Sequence, residues 1–348
     1  MTDTCEGPRI VVKRRATSKD VADLAGVSRA AVSLVLNGRA EGNVSAAKEA
    51  AIRAAAAELD YTPNSVARSL QAQRTRTLGV VTDAIATTAF GGRILSGATM
   101  VAAAAGYVLL VIDTRAGDDL ETSAWASLRA RQVDGLLFAA MGLRPYAPPP
   151  MMQELPSVLV NCFDPREGVA SVACDEVQGG RTAARALLDH GHRDVAMLAG
   201  TGDVIATHRR VQGFTEELDA VGIDVRVIPA GWEIRDGYSA AAAVLDGAHR
   251  PTGIVCANDR AAVGVVLAAA ELGLSVPRDL SVVGYDDDEN VAPVMVPPLT
   301  TVALPHSAMG REAVRRVLAG AAGEPVALDQ VLLPCPLVTR DSVARPGR

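Results

Sequence analysis

Apolar and polar positions alternate in two regimes that change near residue 77. Before it, apolar residues recur at helical spacing. Thr17-Ser-Lys-Asp sets an N-cap hydroxyl three residues ahead of an acid, Val21, Leu24 and Ala25 follow as an apolar face, and Gly26 ends the run. Ser28 caps a second helix with Ala31, Val32, Val35 and Leu36 inward, ending at Asn37-Gly38. Two helices joined over Gly26-Val27 predict a helix-turn-helix. A third helix from Ser45 to about Leu59, with Ile52, Ala55, Ala56 and Leu59 inward, completes a three-helix core. From Tyr61 to Leu70 a Pro stop is followed by Asn64 capping a helix of barely two turns, too short to hold in water alone.

Beyond residue 77 short apolar runs alternate with helical stretches. Strands are predicted at Leu78 to Asp83, Tyr107 to Asp113, Gly135 to Ala140, Val158 to Asn161, Val195 to Ala199, Ile254 to Ala257 and Ser281 to Tyr285. Helices are predicted at Gly92 to Ala105, Asp119 to Arg131, and near 179–190, 208–221, 237–246, 259–272 and 307–319. The expected fold class is α/β: an N-terminal all-α helix-turn-helix headpiece followed by two doubly wound parallel-sheet lobes, with a ligand cleft outside the strand ends.

Composition narrows the function. With 49% hydrophobic and 21% charged residues, the chain is neither disordered nor fibrous. No run approaches the roughly 20 apolar residues that cross a bilayer, and the N-terminus lacks a leader's apolar stretch, so a cytoplasmic protein without a membrane partner is expected. Five scattered cysteines (Cys5, Cys162, Cys174, Cys256, Cys335) form no CxxC pair, and neither a disulfide framework nor a zinc site is expected. The net charge of −6 hides an asymmetry: residues 1–76 carry 12 Lys/Arg against 8 Asp/Glu, the remainder 22 against 32. A basic head on an acidic body confines any nucleic-acid contact to the head. GxSxG, GxxxxGK[ST] and HExxH are absent, and the five histidines suggest no catalytic arrangement. No enzyme activity, cofactor or metal is expected; the consecutive carboxylates Asp286 to Glu289 fit a solvated turn better than a metal loop.

Val21-Ala-Asp-Leu-Ala-Gly-Val-Ser28, Val32-Ser-Leu-Val-Leu-Asn37 and Glu58-Leu-Asp-Tyr-Thr-Pro-Asn-Ser-Val-Ala-Arg-Ser-Leu70 resemble the headpiece and hinge helix of the lactose-repressor (LacI/GalR) family of transcription factors. Asp175-Glu-Val-Gln-Gly-Gly180, Arg210-Val-Gln-Gly-Phe214, Ala257-Asn-Asp-Arg260, Asp279-Leu-Ser-Val-Val-Gly-Tyr-Asp286 and Pro298-Leu-Thr-Thr301 resemble its effector-binding core, itself similar to periplasmic sugar-binding proteins. The resemblance implies a DNA-binding domain at 17–62, a hinge helix and linker at 63–76, one lobe from 77–172 plus 305–331, and a second from 173–304 plus 332–342.

The helix-turn-helix puts the start of its second helix in the major groove: Ser28, Arg29 as base reader, Ala30, and a turn later Ser33 and Leu34. The resemblance adds Thr17, Asn37 and Lys48 as DNA contacts, and Asn64, Ala67, Arg68 and Leu70 in the hinge, with Leu70 wedged into the minor groove at the centre of a palindrome. The segment Asn37 to Val44 is longer than in the lactose repressor, Leu34 replaces a common Arg, and Lys48-Glu49 replaces a usual Thr-Arg, so operator sequence does not carry over. In the core the resemblance brings Arg210, Asn258, Asp259 and Asp286 onto a polyhydroxylated ligand, a chemistry suited to charged, planar hydrogen-bonding groups. Asn161 takes the place of an acidic cleft residue, Trp232 matches an aromatic that stacks on a sugar, Phe90 aligns near the cleft mouth, and His306 falls in the crossover between lobes. Core packing is the rival role for Phe90, and a structural hydrogen bond for His306.

The expected function is a repressor that binds a palindromic operator in double-stranded DNA as a homodimer, under control of a small polar effector. Sugars are favoured, with purines second, and inducer and co-repressor logic stay open. The alternative, a cytoplasmic solute-binding protein without DNA binding, is separated from it by whether residues 1–76 bind duplex DNA.

Overall fold

Cap chemistry fixes where the first helices begin. Helix α1 (Ser18–Ala25) opens on a capping box in which Asp20 N–H donates to the Thr17 hydroxyl and Thr17 N–H donates to Asp20 Oδ2 at 2.7 Å; Gly26 ends it at φ 65°, the left-handed region open to glycine. Ser28 caps α2 (Arg29–Leu36) by accepting from Ala31 N–H at 3.2 Å, and α3 (Ala46–Glu58) crosses both helices. Val21, Val32, Val35 and Ile52 are buried in a cluster of their own. Leu24, expected inward, is 49% exposed: Ala22 takes the inward position beside Val21 and Ala25, which turns the apolar stripe away from Leu24.

The computed structural model describes residues 14, 16–62, 74–85, 89–115, 118–247 and 249–347, with the side chains of residues 89, 90 and 118 outside that description. The expected hinge residues Asn64, Ala67, Arg68 and Leu70 lie outside the described residues, as does the Phe90 side chain. The chain divides into two compact units, Met1–Thr75 and Arg76–Arg348.

The second unit holds two six-stranded sheets. The first contains β1 (Thr77–Thr82), β2 (Val108–Asp113), β3 (Gly135–Ala139), β4 (Ser157–Val160), β5 (Ala170–Cys174) and β11 (Gln330–Leu333) in the order β11-β5-β4-β3-β1-β2, all parallel. The second contains β6 (Val195–Ala199), β7 (Val227–Pro229), β8 (Gly253–Cys256), β9 (Ser281–Asp286), β10 (Thr300–Ala303) and β12 (Leu337–Val338) in the order β12-β10-β9-β8-β6-β7. Strands β3, β4, β6 and β8 are buried along their whole length, as continuous apolar runs are when helices cover both faces. Both sheets are parallel-dominated, as expected of doubly wound lobes; only the two-residue β12, returning from β11 in the first sheet, runs antiparallel, beside β10 at the edge.

In the first lobe the described helices are α4 (Ala89–Ala104), α5 (Asp118–Ala130), α6 (Met151–Glu154) and α11 (His306–Ala321); in the second, α7 (Glu176–Leu188), α8 (Ile205–Asp219), α9 (Ile234–Leu245) and α10 (Asp259–Glu271). The lobes join at three crossovers: β5 into α7, β10 into α11, and β11 into β12.

Three helix pairs touch backbone to backbone through facing glycines. A Cβ at Gly180 of α7 would lie 2.9 Å from the Arg210 carbonyl carbon of α8, and one at Gly213 2.8 Å from that of Val177. Gly237 and Gly264 do the same for α9 and α10, and Gly97 and Gly310 for α4 and α11. Such separations are well inside the roughly 3.5–4.0 Å of ordinary carbon contacts, so only the missing side chain allows them.

Candidate functional site

On the head, Ser28, Arg29, Ala30, Ser33 and Asn37 of the second helix and its caps are exposed and Leu34 is half-buried. Thr17 and Lys48 are exposed as well. Several polar groups of this face are engaged within it: the Thr17 hydroxyl donates to Asp20 Oδ2 at 2.8 Å, Ser28 holds its cap, and Asn37 Nδ2 donates to Ser33 Oγ at 3.1 Å. Asp20 is thereby held at a pKa of about 2, chiefly by the Thr17 hydroxyl. Glu49, an acid where the resemblance places a phosphate contact, pairs with Arg53 at 2.8 Å one turn on, which compensates its charge locally.

In the second lobe the candidate residues gather at the carboxyl ends of parallel strands, where open α/β sheets bind ligands. Arg210 of α8 is the only buried Arg or Lys among the described residues, at 4% exposure. Its Nε and Nη2 donate to Glu176 Oε2 and Oε1 at 2.8 and 3.1 Å, and its Nη1 donates to the Ala257 carbonyl at 2.7 Å. The guanidinium lies over the Tyr285 ring, 3.8 Å from its centroid, with the Trp232 ring at 5.8 Å. Tyr285 O–H donates to the same Glu176 carboxylate at 2.9 Å. The Gly180 and Gly213 contacts bring α7 against α8 closely enough for Glu176, on the first turn of one, to meet Arg210 on the other.

Asp286 ends β9 at φ 110°, a backbone region costly for a non-glycine residue and found at functional sites. Its carboxylate lies 4.0 Å from Arg210 Nη2, and burial lifts its pKa well above the usual carboxylate range despite Arg210. Asn258 is a helix cap: Oδ1 accepts from Ala261 N–H at 2.8 Å and Nδ2 donates to the Trp232 carbonyl at 3.0 Å. Asp259, 1% exposed, accepts from Thr301 Oγ1 at 2.6 Å and Asp288 N–H at 2.7 Å, and burial raises its pKa to about 7. Trp232 packs on Gly200 and donates its indole N–H to the Thr201 carbonyl at 3.2 Å.

Asn161 stands apart from this group, just after β4 in the first lobe at φ 57°, with Nδ2 donating to the Ala140 and Met141 carbonyls at 3.2 Å. The lobes meet where Arg93 of α4 reaches Glu289, on the loop after β9, at 3.6 Å. His306 is buried in the second crossover, and burial with Arg93 and Arg210 nearby lowers its pKa to about 4. His192 is structural, its ring nitrogens bonded to Thr252 Oγ1 and the Ala344 carbonyl.

The structure thus brings together Arg210, Trp232, Asn258 and Asp286, sets Asp259 behind them, and leaves Asn161 on the other lobe. Sequence reasoning missed Glu176 and Tyr285. Gly179-Gly180 and Gly213 were the available signal, since small residues mark helices that approach closely.

Known proteins share both parts of this chain. Residues 17–64 match the family of bacterial regulatory proteins, lacI family, and residues 184–343 match the periplasmic binding protein-like domain. The HTH-type transcriptional repressor PurR of Serratia proteamaculans (strain 568) is 32% identical over 321 residues, 87% of this chain and 89% of that protein. The lac repressor dimer bound to operator and the anti-inducer ONPF aligns over 95% of this chain and 100% of its own, with a TM-score of 0.77 and 30% identity. The transcriptional regulator CelR in complex with cellobiose aligns over 94% and 100%, with a TM-score of 0.64 and 30% identity. The chain belongs to the lacI family of bacterial transcriptional regulators and is a DNA-binding repressor.

Proposed function

We propose that the protein represses transcription in the cytoplasm by binding a palindromic operator as a homodimer, and that a small polyhydroxylated effector, a sugar before a purine, enters the cleft between its lobes and resets DNA affinity. The observation that carries the effector site is the buried Arg210 beside Asp286 and Trp232 at the strand ends. The cellobiose complex of CelR supports a sugar, and the name PurR keeps a purine second. Dimerisation is supported by apolar groups left in water: Met100 of α4 with Val108 and Val111 of edge strand β2 in one lobe, and Ile234 and Leu267 in the other. Arg29, Ala30 and Ser33 face the bases, Lys48 the backbone, and Leu70 wedges the operator centre.

The test begins with selection of genomic DNA fragments by the purified protein, followed by fluorescence anisotropy on the enriched duplex with added sugars and purines. An enriched palindrome, weakened by Leu70→Ala and released or tightened by one effector, is expected. Arg210→Ala should keep operator binding and ignore that effector; an Arg210→Ala protein that still responds overturns the cleft assignment.

A further inference from the structure

Arg210 does not present an open guanidinium fork. Its Nε/Nη2 edge, the side that grips a carboxylate or phosphate with two parallel bonds, is filled by Glu176, and Ala257 takes a third N–H. One N–H remains on each terminal nitrogen, and the Nη2 side faces Asp286 at 4.0 Å. The clamp is itself braced, since Glu176 is 3% exposed, starts α7 after its Asp175 cap, and accepts from Tyr285 O–H. The buried ionisable groups around this point are therefore one guanidinium and three carboxyl groups, those of Glu176, Asp259 and Asp286. Asp286, the acceptor beside the cation, has no short bond to it.

We propose that Glu176 is a specificity-determining residue: by neutralising Arg210 and filling its fork, it restricts the effector to a neutral or amine-bearing polyol and excludes phosphorylated and carboxylate ligands. An anion entering here meets a cation already matched and two further acids, and desolvation of an uncompensated charge opposes its binding. A hydroxyl donor instead meets the Asp286 carboxyl, whose oxygens can accept without an added charge. The upward pKa shifts of Asp259 and Asp286 point the same way, because a site that resists its own negative charges resists a ligand's.

The inference rests on the cleft reading above, but its test needs no effector. Inorganic phosphate is titrated into the full-length protein at constant ionic strength and neutral pH, followed by melting temperature and tryptophan fluorescence. The wild type should show no saturable response. Glu176→Gln keeps the size of the side chain and one acceptor while removing its charge; it should bind phosphate at least on the order of 10-fold more tightly than wild type. The gain should vanish in Glu176→Gln/Arg210→Gln. Saturable phosphate binding by the wild type overturns the proposal even if no variant folds. A folded Glu176→Gln protein without the gain also overturns it. A failed cleft reading looks different: there, Arg210→Ala keeps its effector response on operator DNA.

Discussion

Gly213→Ala tests whether the backbone contact between α7 and α8 holds Arg210 against Glu176. The added Cβ would overlap the Val177 carbonyl and stand 2.8 Å from its carbon, against about 3.5–4.0 Å for ordinary contact, so α8 must retreat by about 1 Å. Overpacking of this kind costs about 1–3 kcal/mol. Arg210 sits one turn before Gly213 and moves with it, stretching bonds of 2.8 and 3.1 Å toward the limit of hydrogen bonding. Fully breaking a buried ion pair costs about 3–5 kcal/mol, and a partial loss adds a share of that. Alanine's better helix propensity returns up to about 1 kcal/mol. The expected net loss is about 2–4 kcal/mol, read by urea denaturation. Gly92→Ala is the control: this exposed helical glycine has nothing within 4 Å of a built Cβ, and the change should stabilise by about 0.5–1 kcal/mol. If Gly213→Ala is as stable as wild type, the contact does not hold α8, and the account of how Glu176 meets Arg210 fails.

Ile52→Ala should remove about 2–5 kcal/mol from the head, whose core cluster is its own, and calorimetry should show the larger transition unmoved; both transitions shifting together would contradict separate cores. Thr17→Ala should cost the head about 1 kcal/mol through the lost capping box, and an unchanged head melting temperature would deny that cap its role. His306 titrates near 4 when folded and near 6.5 when unfolded, so the unfolded chain takes the proton first and stability falls as pH drops through that window. The stability gap between wild type and His306→Gln should therefore change by about 2 kcal/mol between pH 8 and pH 5 in favour of the variant. Comparing the two proteins cancels the opposing titration of Asp259, and parallel pH curves would refute the buried, neutral His306.

The head was legible because its signals are local: Thr17 with Asp20, Ser28 with Ala31, and Gly26 all act within four residues of where they stand. Leu24 was misplaced because an eight-residue helix gives too few turns to fix the phase of its apolar stripe. In the core, long helices and central strands could be read, but β7 and β12, of three and two residues, are too short to show a period, and β5 lies in a small-residue run with weak strand character. Helix α7 begins at Glu176, ahead of the expected 179, because its first turn is set by the Asp175 cap rather than by apolar spacing. The candidate site divides in the same way. Arg210 and Asp286 could be placed by motif, whereas the fork from Arg210 to Glu176 joins residues far apart in sequence and depends on glycines whose effect is to let two backbones touch.

The three crossovers also set a schedule for synthesis. As the chain leaves the ribosome, β1 to β5 appear together, yet the face they present to Met309, Ala313, Val314 and Val317 of α11 stays bare until residue 321 has been added. The edge of β5 waits longer still, for its partner at residues 330–333. Meanwhile the second lobe receives five of its six strands and all four of its helices in one unbroken stretch. The lobe begun second is thus the first able to close, and the nascent first lobe carries an exposed apolar sheet while nearly the whole second lobe is being made. A ribosome that stalls before α11 releases a sticky fragment, and the demand for chaperones falls on that half of the protein.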